Sequence, residues 1–524
     1  MRIGQPYVQP QGGQVQAAPY TPVLPPKRRY TGLQKLLAIT VLLLAYFYVR
    51  MFLFSVSGLG RTLFVWLLLA VSAVYMARCK IRPNAAAVVS GVLTGAFALV
   101  FLWIPSDMLT FGTAVFCQLA YTYGVYKTMD TRIERFPGRF FDFDLIKAFF
   151  AAPFASFGAL FPALFTAPAG ATGKSKTLRR IGFVLLGLLL SVIPTAIAVS
   201  LLSFDQNFRA ILDGLFTVQL SGFEFAEQLI YILLAIPVAM YIFGLWMSGE
   251  RGACAGMNAE SCCRVRARAR FLPGTVALAA AVPLLLVYLL FFIAQFSYFT
   301  SAFAGVLPAS YSHAEYARRG FFELCAVIVL NGGFVYLLWL FAKRSAKAVW
   351  LRSCIALFCV SSLVLTATAV SKMLLYVEAF GLTLSRVYTL WFMLAVALVF
   401  LLLLARMVWR RLPFVAAALA VCLVMFGALA FSNAPALVSG FNTSRVRAGA
   451  DWMLDENYFN QLGASAVSDA VLLESDPNVQ YVTRSNARRF LDSYAQREPE
   501  DNFLRFNFTE YRAQQALSER KPQG

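Results

Sequence analysis

Runs of apolar residues long enough to cross a bilayer follow one another from residue 36 to residue 431, interrupted by short polar stretches. A helix needs about 20 consecutive apolar residues to span the hydrocarbon. The pattern predicts spans at about 36–54, 62–76, 85–104, 109–126, 181–202, 229–247, 276–296, 354–370, 387–404 and 413–431. One more comes from 311–342, where a charged lead-in feeds straight into an apolar run. The expectation is an all-α membrane protein with about eleven transmembrane helices. Two apolar stretches do not suit crossing. Residues 145–165 lie between strongly basic flanks, so crossing would carry one flank to the far side. With Pro153, Pro162 and many phenylalanines, they suit an interfacial helix or a shallow re-entrant hairpin. Phe208, Ile211, Leu212 and Leu215 predict a second in-plane helix.

Beyond the last span, 433–524 reads as a small soluble helical domain. Asp455 caps a short helix ended by Gly463, apolar residues recur at helical spacing over 464–473, and Pro477 breaks that helix. Two more helices are expected at 487–494 and 509–517. At the other terminus, 1–33 reads as a disordered basic tail: it is rich in Gln, Pro and Gly and lacks the apolar core of a signal peptide. The membrane domain would then occupy 34–432.

Composition excludes a soluble enzyme of ordinary type, since 59% of the 524 residues are hydrophobic and only 14% charged. A net charge of +20 would suggest nucleic acid in a soluble protein. Here the lysines and arginines fall in alternate loops, the positive-inside pattern, so anionic lipid headgroups are the expected partner and nucleic acid is not. The same pattern predicts a multi-pass cytoplasmic membrane protein, N-terminus inside and C-terminus outside, with a protein partner expected at the external domain. The nine cysteines lie in spans or on the cytoplasmic side, which speaks against a disulfide scaffold. With one histidine, and no Cys-x-x-Cys among Cys254, Cys262 and Cys263, no zinc site and no cofactor are expected.

Candidate chemistry concentrates at the external mouth of the 311–342 element. Ser312 and Glu315 fit a capping box, and Glu315, Arg319 and Glu323 recur at four-residue spacing beside Arg318. Because Glu323 enters the apolar run, the ladder is a candidate proton or cation relay; the alternative is a charge ladder fixing helix depth. Asn331, with Gly332 and Gly333, adds a polar group about two turns further in and a close-approach surface, the alternative being plain helix packing. Glu224 and Glu227 stand one turn apart at the mouth of the sixth span, able to hold a cation or simply to be hydrated. Lys372, Glu378 and Arg386 flank the outer segment before the tenth span, as pairs with the ladder or as independent snorkelling charges. Pro194, Pro237 and Pro283 near mid-span raise a transporter built on broken helices. Asp142 and Asp144 read as caps of the inner interfacial helix. No phosphate loop, nucleophile elbow or His-Glu-x-x-His motif occurs, and no catalytic residue is expected.

Three stretches carry a family resemblance. They are Tyr311-Ser312 with Glu315-Tyr316-Ala317-Arg318 and Gly320-Phe321-Phe322-Glu323-Leu324; Tyr376 to Thr383 with Arg386 and Tyr388-Thr389-Leu390; and Phe506-Asn507-Phe508-Thr509 with Tyr511-Arg512-Ala513. In these the chain resembles a bacterial multi-pass membrane family, domain of unknown function 4173, and its relative 4153. The resemblance implies a membrane fold and a cell-envelope setting, without a reaction. Two functions are therefore expected from the sequence: a non-enzymatic envelope interaction or regulatory protein, or a secondary transporter using intramembrane carboxylates.

Overall fold

The computed structural model describes residues 30–53, 58–103, 107–134, 136–165, 222–294, 321–343, 348–497 and 503–520. Among these residues no strand forms, and ten helices are long and apolar enough to cross a membrane. The chain is an all-α multi-pass membrane protein. The expected span at 181–202 and the in-plane helix near 208–215 lie outside the described residues.

Local chemistry sets the helix starts. Helix α1 (Gly32–Tyr48) opens on a capping box between Thr31 and Gln34 and runs into a π turn, Val49–Leu53. Helix α2 (Leu59–Arg78) follows, then α3 (Ala85–Phe97), capped by the Asn84 side chain, and its short continuation α4 (Val100–Trp103). The expected fourth span is α5 (Asp107–Met129), a 23-residue helix with too many polar positions to rank among the ten. Helix α3 packs along α5, and α1 along α9 (Gly222–Arg251).

The segment expected to lie in the interface, Phe141–Phe165, is one of the ten by length and hydropathy. It is not one straight helix. It is built from α6 (Phe141–Ile146), a π turn, α7 (Ala152–Ala155), a 3-10 turn and α8 (Leu160–Phe165). Tyr241 donates to the Phe149 carbonyl at 3.1 Å, while Pro153, Ser156 and Phe157 crowd Gly244. Residues 149–157 thus stay opposite a single turn of α9; a straight crossing helix would advance about 12 Å over the same length.

After a capped helix in the basic insert, α10 (Ala259–Ala269), come α11 (Gly274–Ala294), α12 (Phe321–Phe341), α13 (Ala348–Phe380), α14 (Leu384–Val408) and α15 (Phe414–Phe431). A parallel bridge between Leu272 and Ala342 ties α11 to the end of α12. Pro237 and Pro283 sit inside α9 and α11, which continue through them, so neither helix is broken as expected; Pro194 lies outside the described residues. Helix α13 is far longer than the expected 354–370. Its 33 residues extend roughly 50 Å, more than the ~30 Å hydrocarbon thickness. Lys372 therefore lies within the helix and is buried, not in a connecting segment.

The chain turns at Asn433, which adopts a left-handed conformation, into α16 (Ala434–Arg447), a helix the sequence pattern did not predict. Helices α17 (Glu456–Leu462), α18 (Val467–Ser475), α19 (Tyr481–Ala495) and α20 (Phe508–Glu519) match the expected elements, including the Asp455 cap and a positive-φ Gly463. Phe459, Phe490, Leu473 and Leu491 are fully enclosed, and this core continues onto Leu382, Leu384 and Val387 at the α13–α14 turn.

Two docking points join this domain to the spans. Asn442 brackets the α13–α14 turn, accepting from the Leu382 amide (2.7 Å) and donating to its carbonyl (2.8 Å). On the other side, Leu59 donates to the Phe506 carbonyl at 3.0 Å, Thr509 Oγ1 to the Trp103 carbonyl at 2.5 Å, and Asn507 Nδ2 to that of Phe101 at 3.3 Å. Gly58 allows this approach, since a Cβ there would come within 2.8 Å of the Arg505 backbone. The bundle thus has a domain end and, opposite it, a basic end where α1 begins and α2, α5 and α9 finish.

Candidate functional site

Of the polar network expected at the domain end, Glu315, Arg318 and Arg319 lie outside the described residues. Glu323 stands in the first turn of α12, exposed, within electrostatic reach of the Lys372 ammonium on α13. Arg386 does not pair with Glu378, which is exposed. Its guanidinium donates to the Phe380 carbonyl (3.1 Å) and to that of Gly381, and lies 4.1 Å over the Tyr376 ring. A cation at the last carbonyls of α13 complements the helix dipole, and Gly381 at φ +75° closes the helix. Glu224 and Glu227 fall on the first turns of α9; their side chains lie outside the described residues.

Deeper in, Asn331 is fully buried and joins three helices. Tyr288 of α11 donates to Asn331 Oδ1 at 2.5 Å, and Asn331 Nδ2 donates to Ser362 Oγ of α13 at 2.8 Å. Ser362 in turn donates to the Phe358 carbonyl at 2.7 Å. Among the described residues the expected close helix approach at Gly332 and Gly333 is not seen: a Cβ at Gly332 would reach only the Phe400 ring at 3.9 Å, and none of them lies near Gly333. The asparagine, not the glycines, makes the interhelical contact. Replacing Asn331 by leucine should lower stability by about 0.6–1.7 kcal/mol, the range for hydrogen bonds between membrane helices. Thermal unfolding in detergent measures this, and a loss well above that range would point to more than packing.

Among the described residues the densest polar cluster lies at the basic end, where the sequence suggested a basic loop and the caps of an interfacial helix. The Lys127 ammonium donates to Asp144 and, at 2.6 Å, to the Glu134 carbonyl; both Lys127 and Asp144 are 0% exposed. Tyr126 donates to the second oxygen of Asp144 at 2.9 Å. Lys147, equally enclosed, meets Asp130 at 2.9 Å and donates to the Met257 carbonyl at 2.5 Å. Arg266 of α10 forks onto both oxygens of Asp142 at 2.7 and 2.5 Å, and its guanidinium lies 4.7 Å over the Trp339 ring of α12. Asp142 and Asp144 do occupy the first turn of α6, but neither caps it; their carboxylates are taken by cations from α5 and α10. Beside this knot, Glu250 accepts from Tyr75 and from Gln34 Nε2 (2.6 Å), closing α1, α2 and α9 together.

Such buried ions persist only when paired and hydrogen-bonded. The three ion pairs couple α5, α6 and α10 with the loops between them, and the Arg266 guanidinium reaches α12. The signal in the sequence was the mixing of signs, with Asp130, Glu134, Asp142 and Asp144 set among the basic residues of one loop. Positive-inside asymmetry is a property of lysine and arginine alone, so the acidic partners leave no mark on it. Burial pushes the Cys262 thiol of α10 up from its usual range, away from the thiolate form that reacts. All nine cysteines are free, and among the described residues no group of His, Cys, Asp and Glu is arranged to hold a metal.

No curated protein and no solved structure matches this chain. One family model does, described as Domain of unknown function (DUF4153), and it covers residues 63–472. That interval runs from α2 into α18, taking in the ionic knot, the Asn331 contact and the docking of α16, as well as two of the three stretches that carried the resemblance. The model found is that of the relative, 4153, and with most of its length covered the chain belongs to the DUF4153 family.

Proposed function

We propose that this protein is a non-enzymatic cell-envelope protein of the bacterial cytoplasmic membrane, acting by partner or regulatory contacts through its C-terminal helical domain. In this reading the basic end faces the cytoplasm and anionic headgroups, the domain end faces outward, and kinship extends to the 4173 family. One observation carries it: the domain core is continuous with the α13–α14 turn through Leu382 and Val387, so a load on the domain is felt by the spans. At the opposite end the ionic knot fixes α5, α6 and α10 to one another and reaches α12 through Trp339. In a strain lacking the protein, a chain truncated after Ser432 is expected to insert but fail to complement, whereas Glu323→Gln and Glu378→Gln complement. Complementation by the truncated chain sinks this reading.

A second reading, a secondary transporter, is favoured by the buried Lys372 on a spanning helix with Glu323 in electrostatic reach. It reverses the outcome: Glu323→Gln or Lys372→Met abolishes solute or ion flux in proteoliposomes while insertion and melting stay unchanged.

A further inference from the structure

The segment that staples the C-terminal domain to the spans is held by its backbone, Asn507 and Thr509, and leaves its large apolar side chains exposed. Between residues 503 and 511, Phe503 (73% exposed), Leu504, Phe506, Phe508 and Tyr511 (57%) all present apolar surface outward. Phe506, Phe508 and Tyr511 form one patch, with ring centroids 5.2 Å apart for Phe506 and Phe508 and 6.3 Å for Phe506 and Tyr511. The patch continues onto Trp103, 5.7 Å from Phe508 and itself the last residue of a spanning helix. Met108 and Phe111, in the first turns of α5 at the same end of the bundle, are exposed at 65% and 71%. Arg512 lies 5.7 Å over the Trp103 ring. A water-facing domain rarely exposes such a contiguous patch. Tryptophan and tyrosine at span ends, with arginine beside them, are the composition of the headgroup layer.

We infer that the segment 503–511 is an interfacial anchor, its aromatic side chains set in the headgroup–acyl boundary of the bilayer that holds the spans. The occupant follows from continuity: the patch is an extension of the lipid-facing surface of α3–α5, and the hydrogen bonds from Leu59, Asn507 and Thr509 hold it at the depth of Trp103. The C-terminal domain is then held by lipid as well as by protein, with α20 lying against the membrane surface. The inference needs the spans in a bilayer, and depends neither on which side the domain faces nor on any partner.

The full chain carrying Phe503→Trp, and separately Tyr511→Trp, is reconstituted in phosphatidylcholine–phosphatidylglycerol vesicles with or without bromine on the upper acyl carbons. Brominated lipid is expected to quench the added fluorescence, taken as the difference from the parent, at least twofold, with aqueous acrylamide nearly without effect. Quenching by acrylamide and not by lipid overturns the inference in favour of a water-exposed face. Protection from both quenchers also overturns it, since the patch would then be covered by protein, such as a second copy of the chain.

Discussion

Lys127→Met is expected to lower the stability of the folded protein by roughly 3–5 kcal/mol, the loss typical when one member of a buried ion pair is removed. The variant leaves the Asp144 carboxylate enclosed with, among the described residues, tyrosine hydroxyls as donors, Tyr126 at 2.9 Å and Tyr123 at 3.5 Å. It also strands the Glu134 carbonyl that accepts from the same ammonium. Most of the loss is the cost of an uncompensated buried charge, not the strength of the pair. The double variant Lys127→Met, Asp144→Leu should therefore recover much of it, because two apolar groups of similar volume need no partner. Thermal melts in detergent of the parent, both single variants and the double variant close the cycle. A single variant within about 0.5 kcal/mol of the parent would mean that the pair behaves as a surface ion pair, and the knot would lose its role.

Gly244→Ala should disrupt the packing of α9 against the bent segment 141–165. A Cβ built at Gly244 lies 2.5 Å from the Pro153 carbonyl oxygen, 3.2 Å from that of Ser156 and 3.3 Å from Phe157 Cα. All three are backbone atoms, so no side chain can swing away, and the segment itself must move. Overpacking of this kind costs about 1–3 kcal/mol, and a contact this short belongs at the upper end. Gly333→Ala is the matched control, because its Cβ meets nothing within 4 Å among the described residues. Relief of the glycine penalty in a helix should leave it neutral or up to about 1 kcal/mol more stable. If both substitutions shift the melt equally, the close approach at Gly244 is not what seats the segment.

These two sites mark the limit of what the chain reveals in one dimension. The spans were legible because lipid imposes a requirement on every residue of a crossing segment, which leaves a run of apolar residues in the sequence. Helix starts at Asp455 and ends at Gly463 were legible too, because a cap is made within a few residues of itself. The end of α13 was not. Lys372 and Glu378 read as the edge of a loop, yet the helix continues to Phe380, with Lys372 enclosed by neighbouring helices. Helix α16 escaped notice for a related reason: its buried face includes Ser439, Asn442 and Thr443, so polarity along the chain did not report burial.

The sequence by itself determined that this is a helical, multi-pass membrane protein with a helical C-terminal region, since hydropathy and local capping are properties of neighbouring residues. Only the tertiary structure decided which charges meet. Lys127 and Asp144 are 17 positions apart, and Asp142 finds Arg266 across 124. The Asn442 contact with Leu382 and the Asn507 contact with Phe101, which seat the domain, close over still other separations. A buried charge is stable only beside its counterion, and a carbonyl left free at a helix end only beside a donor. Those partners are chosen by how helices pack in three dimensions, and periodicity along the chain carries no record of the choice.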